Sequence, residues 1–510
     1  MRPVLINPNL VVQNNDTFTT GIIYMPVGLA SVAAVLVAAK INLIVVDAFG
    51  ENPRSRRMTD KFMLVGLSPH EVVRRIPSDA TVAFIYANQL INHMSVVEII
   101  SNIKQQRPTL PVVVLENSQA VTAYALKNAA KSLFKAGTDF LLLGEGESGI
   151  LDVVKWFATS PTKESRPIVP GFIASGDDVP DDPPPFIDDL DSLPFPAWEL
   201  FPLKNYWSMG FSHGPLSAKR YLPLLTSRGC PFPCKFCVIP ATSNRKWRAR
   251  SAQNVVDEMA FWRDKLQVDE FHIEDVNPTI QDKRIRTMCR EIIKRRLPVT
   301  WKIAAGTKVE SIKDSKSVDL MAQAGCKYVS ISPESGSAKV LKLMGKPFNL
   351  DHAANIIKRM SEVKIHTQAC FVLGFPGEED QDRQLTWNMV KKLTILGVDE
   401  IGLFIVTPVP GSEIFADYSG YESFSDLNFT PTWRKDYAML ADFRMALYKR
   451  FLIWKLFYHP LKVIVQGFNF LRRRFDTKME MVPYKAIVWK RLQTKSSVSL
   501  PPDPNLAPGE

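Results

Sequence analysis

The sequence predicts an α/β protein: a Rossmann-like N-terminal domain, then a second array of six βα units, then a helical C-terminal region. Three observations predict it. Short apolar strand-like runs alternate with helix-length segments over residues 1–158. After a linker over 159–220 rich in Pro, Asp and Ser, the alternation returns over 221–420 with longer helices. From 421 to 495 the apolar period becomes helical and basic residues accumulate; 496–510 is Pro-rich and reads as a disordered tail.

In the first array, Val4 to Ile6 is a strand ending at Asn7-Pro8, and Gly28 to Ala39 a helix. Leu43 to Val46, Val82 to Tyr86, Val112 to Leu115 and Phe140 to Leu143 follow as strands, with helices to Gln105, through Ala130 and from Ser148 to Phe157. Such short buried strands separated by helices form a parallel, doubly wound sheet. Ligands bind beyond the carboxyl ends of its strands, which Asn7, Asp47, Asn88, Glu116 and Gly144 occupy. In the linker, Asp181-Asp182-Pro183-Pro184-Pro185 can continue neither a helix nor a central strand. The second array predicts strands at Leu222–Thr226, Glu270–Glu274, Thr300–Ala304, Tyr328–Ser332, His366–Leu373 and Glu400–Val406. In barrels of this kind the chemistry sits at the strand C-terminal ends.

Just after the first of these strands comes Ser227-Arg228-Gly229-Cys230-Pro231-Phe232-Pro233-Cys234-Lys235-Phe236-Cys237. The spacing is C-x3-C-x2-C with no fourth cysteine nearby. An iron–sulfur cubane usually takes four thiolates, so three leave one iron open to another ligand. A structural zinc site closes its tetrahedron instead. Gly229 permits a tight backbone path, and Pro231 and Pro233 stiffen the loop.

This loop, with Phe236 before the last cysteine, resembles the signature of the radical S-adenosylmethionine (radical SAM) superfamily. The resemblance implies a partial (β/α)6 TIM-like barrel. It also implies a 4Fe-4S cluster on Cys230, Cys234 and Cys237 whose open iron is chelated by SAM, and reductive cleavage of SAM to a 5′-deoxyadenosyl radical. The N-terminal half resembles the cobalamin (B12)-binding domain of one large subfamily through Met25-Pro26-Val27-Gly28-Leu29 and Gly144-Glu145-Gly146-Glu147. Two departures stand out. The Asp-x-His-x-x-Gly motif of many cobalamin proteins is absent. Glu116-Asn117-Ser118-Gln119 replaces a Gly-Gly-Pro-like turn.

The same resemblance points to cofactor contacts. Glu274 and Asp275 end the second strand; a carboxylate there can take the SAM amine, and alternation turns only one of them inward. Glu334 and Ser335, in a Glu-Ser-Gly-Ser turn, fit the SAM ribose or amine, or cap the next helix. Lys302 is a weaker candidate for the SAM carboxylate. Gly374 and Pro376 lie in an adenine-side loop, and Thr407 to Ser412 resembles the sixth strand end. Arg248 or Arg250 can neutralise the cluster or an anionic substrate.

Composition excludes a disulfide framework, since only six cysteines occur and three are clustered. An oxygen-sensitive cluster fits a cytoplasmic setting. The early apolar run Met25–Ala39 is too short to span a bilayer, and no secretory leader is recognised. The net charge of +11 is concentrated: residues 441–495 hold 13 Lys and Arg against 3 acidic residues. Leu440, Phe443, Leu447, Phe451, Trp454 and Tyr458 recur at helical steps. The segment reads either as a barrel cover with a solvated basic face or as a peripheral membrane contact. No nucleic-acid motif accompanies the charge.

The expected function is SAM cleavage for cobalamin-dependent methylation of an unactivated carbon. The expected partners are a small-molecule or lipid-like substrate and a flavodoxin- or ferredoxin-type reductant. The alternatives are a radical SAM cyclase, rearrangement or hydration enzyme without methyl transfer or bound cobalamin, and a non-enzymatic, zinc-stabilised basic adaptor.

Overall fold

The computed structural model describes residues 2–120, 122–159, 165–181 and 183–494; the expected disordered tail and Asp182 lie outside them. Two six-stranded sheets carry the molecule. In the first, Ile44–Asp47, Pro3–Asn7, Val82–Ala87, Val112–Glu116 and Phe140–Leu142 lie side by side in that order, all parallel. The order changes direction at Pro3–Asn7, which opens a crevice at the strand carboxyl ends. The strands are apolar on both faces because helices cover both. One of those helices, Val27–Ala38, is apolar nearly all round and accordingly buried.

Phe172–Ala174 adds an antiparallel edge to this sheet, so residues 159–220 are more than a linker. That segment also forms the helix Leu203–Ser208 and buries Trp198, Tyr206 and Phe211 completely. A three-stranded antiparallel sheet, Leu10–Gln13, Phe62–Val65 and Arg56–Met58, was not legible in the sequence. Its strands are short, and one of them, Arg-Arg-Met, carries no apolar alternation.

The second sheet runs in sequence order: Tyr221–Leu224, Glu270–Ile273, Thr300–Thr307, Cys326–Glu334, His366–Leu373 and Glu400–Ile405, every pair parallel. This is the expected partial barrel. Three helices follow, Tyr437–Tyr458, Pro460–Arg472 and Lys478–Thr494. The predicted stripe on the first of them faces inward: Leu440, Leu447 and Phe451 are buried, and Phe443 and Trp454 meet Trp387 of the helix Asp380–Ile395. Apart from Tyr458, which stays exposed, this stripe packs onto the barrel. Among the described residues no helix is long and apolar enough to cross a membrane.

Candidate active site

The cysteine loop is fixed at its base before any cofactor is considered. Ser227–Arg228 pairs with Arg248–Ala249 as a short antiparallel ribbon, which closes the loop between them. Gly229 has φ +75°, and a Cβ there would lie 2.1 Å from the Lys246 carbonyl oxygen, so only glycine fits. Asp275 accepts from the Thr226 amide at 2.6 Å, the Thr226 hydroxyl at 2.6 Å and the Ser227 hydroxyl at 2.5 Å. Arg284 donates to the Thr226 hydroxyl at 2.8 Å. Asp275 therefore holds the loop, and the expectation that it binds SAM is corrected.

The three thiols are left to one another and to cations. Burial raises all three, Cys234 to about 11 and Cys237 to about 12, with neighbouring cysteines adding to the effect on both. Iron must therefore displace their protons on binding. Lys346 supplies the compensating charge. Burial works against its ammonium, yet Glu334 and Cys234 beside it hold it protonated. It is ion-paired with Glu334. Lys308 lies 4.3 Å from the Phe232 ring centroid. Sequence reasoning missed both lysines, because only the fold brings their segments to the loop. Among the described residues no three His, Cys, Asp or Glu side chains converge tightly enough to share one metal ion. A cubane takes each sulfur on a separate iron. The donor set and its cations fit such a cluster.

Cys237, Phe236 and Glu334 line a cavity of about 1500 Å³. Glu334 sits in the left-handed backbone region, φ +65°, a strained conformation for a non-glycine residue at a strand end. Ser335 turns away: it is fully buried, bonding the Thr386 hydroxyl and accepting from the Ser337 amide. Gly374 accepts from Arg434 and Pro376 is exposed; neither lines the cavity. Phe375 of their loop packs edge-on against Phe236, which does line it. Lys302 is buried against Glu270, 3.0 Å away, and does not reach the cavity. Deeper inside, Glu400 accepts from the Tyr328 hydroxyl at 2.5 Å, and burial raises it to about 7. Lys478, on the last helix, reaches the Gln368 side chain at 3.3 Å. The sequence placed Lys478 in a basic tail; the fold places it in the barrel.

The crevice at the first sheet's strand ends meets this cavity, and Tyr24, Thr122, His213 and Ala305 line both. Gly28 lets the helix start touch Tyr86, whose hydroxyl lies 2.2 Å from where a Cβ would stand. Glu274 faces the crevice and is 2.6 Å from His213 Nδ1, while His213 stacks on Tyr24 at 4.4 Å. Of the other strand-end residues, Asn7 and Asp47 are bonded to each other, and Asp47 also takes the Tyr206 hydroxyl at 2.7 Å. Glu116 accepts from the Leu126 and Gly144 amides at 2.8 and 2.6 Å, so its side chain stays out of the crevice. What remains there is amide-rich: Asn88, Gln89, Asn117 and Gln119. Amides both donate and accept, and so match a corrin's rim of carboxamides.

The Gly144–Glu147 turn locks the two domains together. Arg248 meets Glu145 at 2.8 Å, and Arg228 meets Glu147 at 2.7 Å. Arg250 pairs with Glu258. Neither Arg248 nor Arg250 is free to neutralise the cluster, which corrects that expectation. A fully paired buried network of this kind fixes the loop's position against the N-terminal domain.

Residues 224–390 match the radical SAM superfamily. The chain is 28% identical over 455 residues to cytidylyl-2-hydroxyethylphosphonate methyltransferase of Streptomyces wedmorensis, covering 81% of each chain. It is 29% identical over 346 residues to the anaerobic magnesium-protoporphyrin IX monomethyl ester cyclase of Cereibacter sphaeroides, covering 66% of this chain but 54% of that one. In fold it resembles the radical SAM methyltransferase TsrM of Kitasatospora setae, solved with cobalamin and a 4Fe-4S cluster bound. The TM-score is 0.60 at 16% identity, over 82% of this chain and 77% of that one.

Proposed function

We propose that the protein cleaves SAM reductively and uses the radical for cobalamin-dependent methylation of an unactivated carbon. One observation carries this reading: the cavity lined by Cys237 adjoins the interdomain crevice, with Tyr24, Thr122, His213 and Ala305 shared between them. When bound, the cluster and SAM supply a 5′-deoxyadenosyl radical, and cobalamin supplies a methyl group. The residues do the rest. Asp275 and the Arg228–Glu147 and Arg248–Glu145 pairs hold the loop at the barrel mouth. Glu334, set beside Lys346, offers an acceptor to the ribose or amine of SAM. Phe236, supported by Phe375, walls the cavity beside it against water. Tyr24 and His213 stand where crevice and cavity join and would orient a substrate between the two cofactors. Exposed Pro231 and Pro233 leave the outer side of the loop open to a one-electron donor of the flavodoxin or ferredoxin class.

Anaerobic reconstitution with iron, sulfide, SAM and hydroxocobalamin, reduced with dithionite, tests this. Formation of 5′-deoxyadenosine together with a retained corrinoid spectrum is expected, and Cys234→Ala abolishes the first. Cleavage without corrinoid retention moves the protein to the alternative without methyl transfer from cobalamin. No cleavage at all overturns both.

A further inference from the structure

Two of the C-terminal helices carry apolar side chains facing outward. On Tyr437–Tyr458, Met445, Leu452 and Leu456 recur at steps of seven and four, opposite the buried Leu440, Leu447 and Phe451. On Pro460–Arg472, Leu461, Ile464, Val465, Phe468 and Leu471 recur at three or four, and Gln466 is the helix's one buried residue. Phe457, Leu461 and Leu471 are 77%, 75% and 75% exposed. So much exposed apolar surface on consecutive turns marks an interaction face.

Two further observations say what covers it. Exposed Lys449 and Arg450 lie on the first helix, and exposed Arg472, Arg473 and Arg474 end the second, with no acidic residue between 443 and 475. An apolar stripe rimmed by cations fits the headgroup zone of an anionic bilayer, where each added cation contributes about 1 kcal/mol. Met445 and Leu452 also line the large cavity while remaining half exposed. They form its mouth, and that mouth opens on the same face.

We propose that this face docks on an anionic lipid bilayer and opens the cavity to it, so that the substrate is a membrane-resident amphiphile. This rests on the radical SAM reading of the cavity. The interior suits such a molecule. Phe404, Phe429 and Phe451 offer apolar wall, and Glu400, Gln368 and Lys478 offer polar contacts deep inside.

The test uses the full, reconstituted chain and sedimentation with vesicles of phosphatidylcholine, with or without phosphatidylglycerol. Binding is expected only with phosphatidylglycerol, weakened by salt, and reduced about tenfold or more in the triple variant Phe457→Glu, Leu461→Glu, Phe468→Glu. That variant should still form 5′-deoxyadenosine in the absence of vesicles. Loss of cleavage in the unsubstituted protein would strike at the radical SAM reading and leave docking to be judged by sedimentation alone. No sedimentation, or equal sedimentation of the triple variant, overturns docking. So does a dimer, seen by light scattering, that the triple variant dissociates, since the face would then cover a second copy. In a second arm, a fluorescent acyl-labelled phosphatidylglycerol transfers from vesicle to protein. Met445→Trp narrows the mouth and should block transfer without preventing sedimentation. Unimpeded transfer overturns the portal.

Discussion

The cysteine loop and the C-terminal helices place charge in opposite ways. Around the loop, buried charges come in pairs or are fully bonded: Asp275 with three donors, Arg228 and Arg248 with Glu147 and Glu145. At the C-terminus, Lys455 and Lys485 are buried and half-buried Lys478 lines the cavity, while leucines and phenylalanines point out. Lys485 is buried donating only to the Phe18 and Thr20 carbonyls. A local motif with its own bonded scaffold thus keeps its meaning whatever surrounds it. A count of basic residues does not say which of them meet solvent.

The largest expected effect would break the loop's side of this contrast. Glu145→Ala strands the buried Arg248 guanidinium and leaves Arg228 with Glu147 alone, and should cost about 3–5 kcal/mol in urea unfolding. A loss below about 1 kcal/mol would show that the interdomain network is not what holds the loop. Asp275→Asn removes the acceptor shared by Thr226 and Ser227 and leaves at least one buried donor unmet, about 1–3 kcal/mol. Iron content after reconstitution should fall with it; full cluster loading would show that the loop holds its shape without that carboxylate.

Lys485 sharpens the other side. Burial lowers it to about 7, whereas an unfolded lysine titrates near 10.4. Between those values the unfolded chain binds more protons, so stability rises as pH climbs from about 7 towards 10. Lys455, lowered by burial to about 8, acts in the same direction. Lys485→Met should flatten the rise between pH 7 and 9 in urea titrations; an unchanged slope would mean that Lys485 keeps its proton in the folded protein over that range. The smallest effect belongs to the outward face. Leu461→Asp should change stability by no more than about 0.5 kcal/mol, while Phe451→Ala on the inward face should cost about 3–5 kcal/mol. Similar losses for both would erase the distinction between the two faces.

The sequence made both sheets legible, because parallel strands buried on both faces read as continuous apolar runs. It also made the cluster ligands legible, because three thiols within eight residues need no tertiary context. It misjudged the direction of side chains. Glu274 and Asp275 are adjacent, and only the barrel's curvature decided that one meets the crevice and the other the loop. Ser335, Lys302 and Arg248 look like cofactor contacts in a linear motif but are taken up by Thr386, Glu270 and Glu145.

By itself the sequence determined the two βα arrays and the sulfur donors, since these depend on local period and spacing. Only the tertiary structure decided which polar groups were left over after the fold had satisfied its own buried donors and acceptors. It brought Lys346 and Lys308 to the cysteines, carried Lys478 into the barrel, and turned Phe457 and Leu461 outward. The reason is that a buried polar group must find a partner wherever the chain brings one, and that partner can lie hundreds of residues away.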